Sequence, residues 1–170
     1  MRIFLVGYMG AGKTSLGKKL AQNLGLKFVD LDQQVELQQN ATIVELFDTK
    51  GEIAFRAMEQ EVLDMLLKQD NYVMATGGGT PCFEATMEKL KHYGTTIYLK
   101  MEPRELANRL LHARKERPLI KDKTEEELIV YISESLAQRE KVYNLAHITI
   151  NSGYETKLNE IASELIHGYF

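Results

Sequence analysis

The sequence predicts one three-layer α/β domain built on a five-stranded parallel sheet. Short apolar stretches alternate with stretches of helical periodicity along all 170 residues. No repeat, low-complexity tract or linker divides the chain. Because helices separate consecutive strands, the alternation implies crossover connections and a sheet covered on both faces.

The predicted strands are short, apolar and rich in branched residues. The first ends at Gly7, and the third ends at a run of three glycines. Glycine stops a strand because it readily adopts backbone angles that the strand excludes. The predicted strands cover residues 2–6, 28–31, 72–75, 95–99 and 147–150.

The stretches between the strands carry apolar residues at helical spacing. In the longest of the early ones, Phe55, Met58 and Val62 recur three or four residues apart. Later, Thr124 and Glu127 have the spacing of a capping box. The predicted helices cover residues 13–23, 44–47, 52–68, 83–92, 103–113, 124–145 and 154–166.

The composition is typical of a soluble globular protein, with 44% hydrophobic and 26% charged residues. A net charge of −3 provides no basic field for nucleic acid. Cys82 is the single cysteine, which excludes an internal disulfide and fits a reducing compartment. No apolar stretch approaches the roughly 20 residues of a membrane span. We therefore expect a cytoplasmic protein that binds neither nucleic acid nor membrane, with Cys82 as a packing residue.

The segment from Gly7 to Thr14, GYMGAGKT, matches G-x-x-x-x-G-K-[ST] between a strand and a helix. Glycines let such a loop direct its N–H groups inward, and the helix adds its positive end. Lys13 can reach the β- and γ-phosphates, and the Thr14 hydroxyl can ligate Mg²⁺. The alternative is an ordinary tight turn. The spacing of the glycines is not that of the dinucleotide-binding motif.

A phosphate loop alone fits a GTPase, an ATPase or a kinase. The sequence has no N-K-x-D motif for guanine, and 170 residues leave no room for the additional domains of a motor or helicase. A small phosphotransferase with a lid remains the most consistent interpretation.

Asp30 and Asp32 lie at the end of the second predicted strand. Their spacing of two predicts that both carboxylates lie on one face of that strand, at the edge where ligands bind. One could hold Mg²⁺ directly or through water, and the other could accept a proton from a substrate hydroxyl. The alternative is two solvated aspartates in a turn.

Four further features fit a substrate site or its lid. Arg56 lies on an amphipathic helix, and Arg139 lies on the long helix near the chain's end. Residues 76–79, T-G-G-G, would let a ligand approach the backbone closely. Arg117, in the charged segment that contains R-P-L, could supply positive charge as a lid closes. Taken singly, each arginine could equally be a solvated surface charge.

Together these motifs resemble shikimate kinase. GYMGAGKT, DLD, F-R-x-x-E, T-G-G-G, R-P-L and an arginine before a tyrosine-containing helix end follow in family order from Gly7 to Tyr143. The resemblance implies a fold similar to nucleoside monophosphate kinases, with sheet order 2-3-1-4-5. It also implies Mg²⁺-dependent transfer of the ATP γ-phosphate to the 3-hydroxyl of shikimate, in aromatic amino acid biosynthesis. Separately, we expect a monomer.

The resemblance assigns donor-side roles. Lys13 is central, Thr14 ligates Mg²⁺, Asp30 supports the ion through water, and Arg117 faces ATP from a lid at about residues 114–123. Arg109 and Arg114 are both candidates to stack on adenine, with Arg114 preferred. The residues expected to bind the ATP phosphates are Gly10, Ala11, Gly12, Lys13, Thr14 and Ser15.

The resemblance also assigns the acceptor side, at about residues 32–60 and beyond. Asp32 binds ring hydroxyls near the attacking oxygen, so Lys13, Asp32 and Arg117 form the expected catalytic set. Arg56 and Arg139 bind the shikimate carboxylate, for which their bidentate geometry is suited. Gly78 gives a backbone contact to the ring. Glu59, one turn after Arg56, would orient it.

Two other interpretations stay open at this point. A related small-molecule kinase, acting on gluconate or a nucleoside monophosphate, would share the phosphate loop and the lid. A non-enzymatic nucleotide-binding module would keep the loop, but it would not need the charges of Asp32 and Arg117.

Overall fold

The structure is a computed structural model that describes residues 1–113, 123–151 and 158–167. Its sheet contains five parallel strands in the order β2-β3-β1-β4-β5, which confirms the predicted topology. Helices pack on both faces of the sheet. The strands are β1 (Arg2–Val6), β2 (Lys27–Asp30), β3 (Tyr72–Ala75), β4 (Thr95–Lys100) and β5 (Ile148–Asn151).

The helices of the described residues largely follow the predicted pattern. Thr124 caps its helix, and its capping box with Glu127 is present as predicted. A 3₁₀ turn, Thr80–Cys82, precedes the fourth helix. The helices are α1 (Lys13–Leu24), α2 (Leu31–Gln39), α3 (Ile43–Leu66), α4 (Thr86–Tyr93), α5 (Pro103–Leu111), α6 (Glu125–Tyr143) and α7 (Leu158–His167).

Two of the differences lie between β2 and β3. Helix α2 has no counterpart among the predicted helices, because residues 33–39 are mostly polar and give no clear periodicity. The predicted helices at 44–47 and 52–68 are the two halves of α3, divided at Gly51, whose φ of 79° and ψ of 169° are not helical. The break explains why the sequence pattern indicated two helices there.

The predicted placement of Asp30 and Asp32 on one face of a strand is wrong. Strand β2 ends at Asp30, and Asp32 lies in the first turn of α2. The Asp30 side chain accepts a hydrogen bond from the backbone N–H of Gln33, so Asp30 caps α2 and the helix begins at once. Both carboxylates nevertheless reach the same side of the molecule.

The central strands carry the core. Nearly every residue of β1, β3 and β4 is buried, because helices cover both faces of these strands. The register aligns Leu5, Ala75 and Asp30 across three neighbouring strands, so the segments that follow them leave the sheet at the same level. These segments form the candidate site. None of the described helices combines the length and apolarity that crossing a membrane requires.

Candidate active site

The loop between β1 and α1 has the geometry of a phosphate cradle. Gly10 and Gly12 have φ angles of 83° and 90°, which side chains other than glycine rarely adopt. These angles turn the chain sharply into the N-terminus of α1. The Lys13 ammonium group is buried and donates to the carbonyls of Gly7 and Tyr8, at 2.7 and 2.9 Å. The lysine is thus held against the same loop whose N–H groups would face an anion.

Thr14 and Asp30 are joined directly beside this loop. The Thr14 hydroxyl donates to Asp30 Oδ2 at 2.9 Å, across the carboxyl ends of β1 and β2. A hydroxyl and a carboxylate are the hard oxygen ligands that Mg²⁺ prefers. Among the described residues, no group of three or more His, Cys, Asp or Glu could hold a metal. A Mg²⁺ site with few protein ligands, completed by substrate phosphates and water, suits this pair.

A cavity of about 360 Å³ opens in front of the loop. It brings Asp32 to the same space as Lys13 and Thr14, as the sequence predicted. Arg109 also lines it, so this candidate for the adenine contact lies at the nucleotide side. The lining residues are Met9, Gly10, Gly12, Lys13, Thr14, Ser15, Asp30, Asp32, Thr76, Gly77, Gly78, Arg109, Leu110 and Ala113. Ala11, also expected at the phosphates, is a fully buried residue of the loop and is not among these lining residues.

The glycine triplet after β3, residues 77–79, lies beside the loop and is called the glycine wall below; a Cβ at Gly78 would lie 3.4 Å from the backbone N of Met9. Charged side chains also approach this wall closely. A Cβ at Gly77 would lie 2.8 Å from Asp32 Oδ1. A Cβ at Gly78 would lie 3.6 Å from Arg139 Nη1, and one at Gly79 would overlap the Arg56 guanidinium. The predicted acceptor-side residues therefore converge on three consecutive glycines.

Arg56 is held by carboxylates of its own helix. Its Nη1 donates to Glu59 Oε2 at 2.7 Å, and its Nη2 lies 3.7 Å from Glu52 Oε1. Glu59 has no exposed surface, and its second oxygen accepts from the Thr80 hydroxyl at 2.6 Å. The orienting contact predicted between Glu59 and Arg56 is confirmed, whereas sequence reasoning missed Thr80.

Arg139 extends from α6 to the same wall. Its guanidinium lies over the Tyr8 ring, 5.4 Å from the centroid. One turn later, the buried Tyr143 hydroxyl donates to the Gly78 carbonyl at 2.5 Å. Burial raises the pKa of Tyr143, so the phenol remains a neutral donor at ordinary pH. Tyr143 thus fixes the glycine wall, a role that the spacing of four from Arg139 could have indicated.

Cys82 lies half-buried at the end of the 3₁₀ turn and packs against the core, as expected. Burial raises the pKa of its thiol, and the charges of Arg139 and Arg56 oppose that rise. Arg114 and Arg117, with most of the predicted lid, lie outside the described residues.

Comparisons with known proteins agree with this geometry. A family model described as shikimate kinase matches residues 9–169 of the chain. The chain belongs to the shikimate kinase family. Its relatives include the shikimate kinase of Parabacteroides distasonis, 41% identical over 97% of both chains, and that of Phocaeicola vulgatus, 44% identical over 85% of this chain and 83% of the relative.

Solved structures of shikimate kinases share the fold. The enzyme from Bacteroides thetaiotaomicron superposes with a TM-score of 0.90 and 37% identity, covering 98% of this chain and 97% of that chain. The shikimate kinase of Acinetobacter baumannii, solved in complex with shikimate, has a TM-score of 0.84 and 36% identity, covering 99% of this chain and 93% of that chain. The likeness therefore extends over nearly the whole chain.

Proposed function

We propose that this protein transfers the γ-phosphoryl group of ATP to the 3-hydroxyl of shikimate, with Mg²⁺ and with the residues assigned below. The observation that carries the residue roles is the shared cavity of Lys13, Thr14 and Asp32, which Gly77 and Gly78 of the glycine wall also line. A phosphate donor and a small polar acceptor can meet in that space.

On the donor side, the backbone of residues 10–15 cradles the phosphates. Lys13 compensates the charge on the transferred group, which matters because phosphoryl transfer passes through a loose, highly charged transition state. Thr14 and Asp30 would hold Mg²⁺, directly and through water respectively. When bound, the ion neutralises charge on the β- and γ-phosphates. Arg117 remains the proposed lid arginine, on the family resemblance.

On the acceptor side, Asp32 accepts hydrogen bonds from ring hydroxyls and orients the attacking oxygen. Its position near both Gly77 and Lys13 supports this role. Arg56 and Arg139 approach neighbouring glycines and together form a cationic site for the shikimate carboxylate. Gly78, whose carbonyl is held by Tyr143, contributes backbone at the ring.

The decisive experiment measures ADP release by the purified protein with ATP, Mg²⁺ and a panel of acceptors. Shikimate should stimulate ADP release, while gluconate and nucleoside monophosphates should not. Stimulation by a nucleotide or by gluconate, but not by shikimate, would overturn the proposal. Tight ATP binding with no acceptor-dependent turnover would favour a non-enzymatic binding module.

Lys13→Ala tests the donor side. We expect kcat to fall by about two to three orders of magnitude, because charge placed at the transferring group is lost. Lys19→Ala, an exposed lysine of the same helix, is the matched control and should retain activity. Near-normal kcat in Lys13→Ala would refute the cradle assignment.

We further propose that the enzyme acts as a monomer in the cytoplasm. The single cysteine supports a reducing compartment. Sedimentation equilibrium across a concentration series tests the oligomeric state, and a mass that rises to that of a dimer would contradict it.

A further inference from the structure

Glu59 is a carboxylate without solvent exposure, and its two oxygens have different partners. Oε2 accepts from Arg56 Nη1 at 2.7 Å, and Oε1 accepts from the Thr80 hydroxyl at 2.6 Å. A buried carboxylate is costly unless its charge is paired and its lone pairs are occupied. Thr80 therefore supplies the hydrogen bond to Oε1, the carboxylate oxygen that Arg56 does not contact through Nη1.

Thr80 follows the glycine wall directly in the chain, 21 residues from Glu59. The residue is fully buried, and its backbone N–H donates to the Gly77 carbonyl at 3.3 Å. A Cβ at Gly77 would lie 2.8 Å from the Thr80 hydroxyl and 3.2 Å from Glu59 Oε1. The Thr80–Glu59 pair thus lies directly behind the glycine wall.

The Thr80 hydroxyl competes with Arg56 for hydrogen bonds to the Glu59 carboxylate. Arginine and carboxylate groups commonly pair through two parallel hydrogen bonds. Here one short bond joins Nη1 to Oε2, and the Thr80 hydroxyl is bonded to Oε1. Without the hydroxyl, Oε1 would attract a second guanidinium N–H and rotate Arg56 away from Gly79.

We propose that Thr80 is a positioning residue that keeps Arg56 directed at Gly79 for an acceptor carboxylate. The inference rests on the proposed role of Arg56 in binding the shikimate carboxylate. It makes Thr80 a determinant of the preference for an acid over a neutral acceptor, although Thr80 itself is behind the wall and does not contact the acceptor.

The test compares Thr80→Val, which keeps the shape and removes the hydroxyl, with Thr80→Ser, which keeps the hydroxyl. KM for shikimate and for ATP is measured, together with kcat/KM for shikimate and for its neutral methyl ester. We expect Thr80→Val to raise the shikimate KM about tenfold and to reduce the acid-over-ester preference equally, with the ATP KM unchanged. Thr80→Ser should behave like the wild type.

Thr96→Val is the matched control, because it removes the hydroxyl of another fully buried threonine, which is bonded to His147 and lies on β4, separated from β3 by β1. It should leave both KM values unchanged. If Thr80→Val does not fold, Thr80→Ser and Thr80→Ala form a second pair that differs only in the hydroxyl. Combining Thr80→Val with Arg56→Lys should add little to the effect of Arg56→Lys alone.

The inference is overturned if the hydroxyl-lacking variant keeps the wild-type shikimate KM, or if the acid and ester reactions weaken equally. Either result, with an active wild type, leaves the proposed function intact. A wild type that does not phosphorylate shikimate contradicts the proposed function instead.

Discussion

Arg56 contributes to the stability of the fold and also to the proposed acceptor site. It neutralises a fully buried carboxylate, and it also faces the glycine wall where an acceptor would lie. A guanidinium group can do both because it presents five N–H donors in a fixed plane. A lysine ammonium at this position could neutralise Glu59 but could not form the same planar pair of contacts.

Replacing Arg56 should separate acceptor binding from nucleotide binding. We expect Arg56→Ala to raise the shikimate KM at least about tenfold. We expect the same of Arg56→Lys, which keeps a positive charge beside Glu59. The ATP KM should change far less, since Arg56 lies at Gly79 and is not among the residues that line the shared cavity with the phosphate loop. Steady-state kinetics with each substrate varied in turn measure this. A defect selective for ATP would contradict the carboxylate role.

Gly79→Ala offers a purely steric test of the wall. Gly79 has φ of −86° and ψ of −19°, so alanine adds no backbone strain. Its methyl group would collide with the end of the Arg56 side chain, which can move aside. The shikimate KM should therefore rise about tenfold or more, with some loss of stability because the displaced guanidinium pairs with the buried Glu59.

Gly25→Ala is the control for Gly79→Ala, because Gly25 caps α1 and has open space around it. Its φ of 66° makes alanine strained there, so Gly25→Ala should lower stability and leave KM unchanged. Unaltered shikimate kinetics in Gly79→Ala would mean that Arg56 does not need its present position.

Much of the site could be predicted at the residue scale, and the failures have a physical cause. Lys13, Thr14 and Gly78 belong to contiguous motifs whose spacing carries their chemistry. Thr80 does not, because its partner Glu59 is distant in the chain and only the tertiary fold joins them. A hydroxyl that completes a buried carboxylate leaves no local pattern in the sequence.

At the scale of elements, α3 consists of two segments divided by its break at Gly51. The segment after the break carries Arg56 and Glu59 against the core, while the segment before it begins at the Thr42–Glu45 capping box. Periodicity predicted both halves, because each has its own apolar pattern. It missed α2, because a short polar helix that begins at an aspartate cap resembles a turn.

Gly51→Ala should destabilise the protein although its methyl group would have open space. The φ of 79° and ψ of 169° lie in a region that is nearly exclusive to glycine, so we expect a loss of about 1–3 kcal/mol. Urea unfolding measures the loss. Ile53→Ala, at a neighbouring exposed position, should change stability by less than about 0.5 kcal/mol. A Gly51→Ala variant as stable as the wild type would contradict this prediction and would show that the break closes into regular helix.

At the scale of the whole molecule, parallel strands place every site segment at one edge of the sheet. The topology followed from the alternation of strands and helices, together with the family resemblance. The interior also contains large tyrosines, of which Tyr72, Tyr98 and Tyr143 are almost fully buried. Burial raises the pKa of all three above 10, the ordinary value for tyrosine.

We predict that the free energy of unfolding falls in alkaline solution as these tyrosines ionise. Burial raises the pKa of Tyr72 to about 12, so between pH 10 and 12 the unfolded chain releases a proton that the native protein keeps. The stabilisation is complete below about pH 10 and is lost as the pH rises through about 12. Urea midpoints from pH 8 to 11.5 should fall progressively, and less steeply in Tyr72→Phe. An equal slope in that variant would contradict the assignment.

The glycine wall has a consequence for inhibitors of the acceptor site. An inhibitor that contacts the backbone of residues 77–79 would meet a surface that the enzyme has little freedom to alter. A side chain at 77 would displace Asp32, and one at 79 would displace Arg56. Substitutions that block the binding of such an inhibitor would also weaken the binding of the acceptor. Resistance mutations should therefore arise less readily here than at sites lined by side chains.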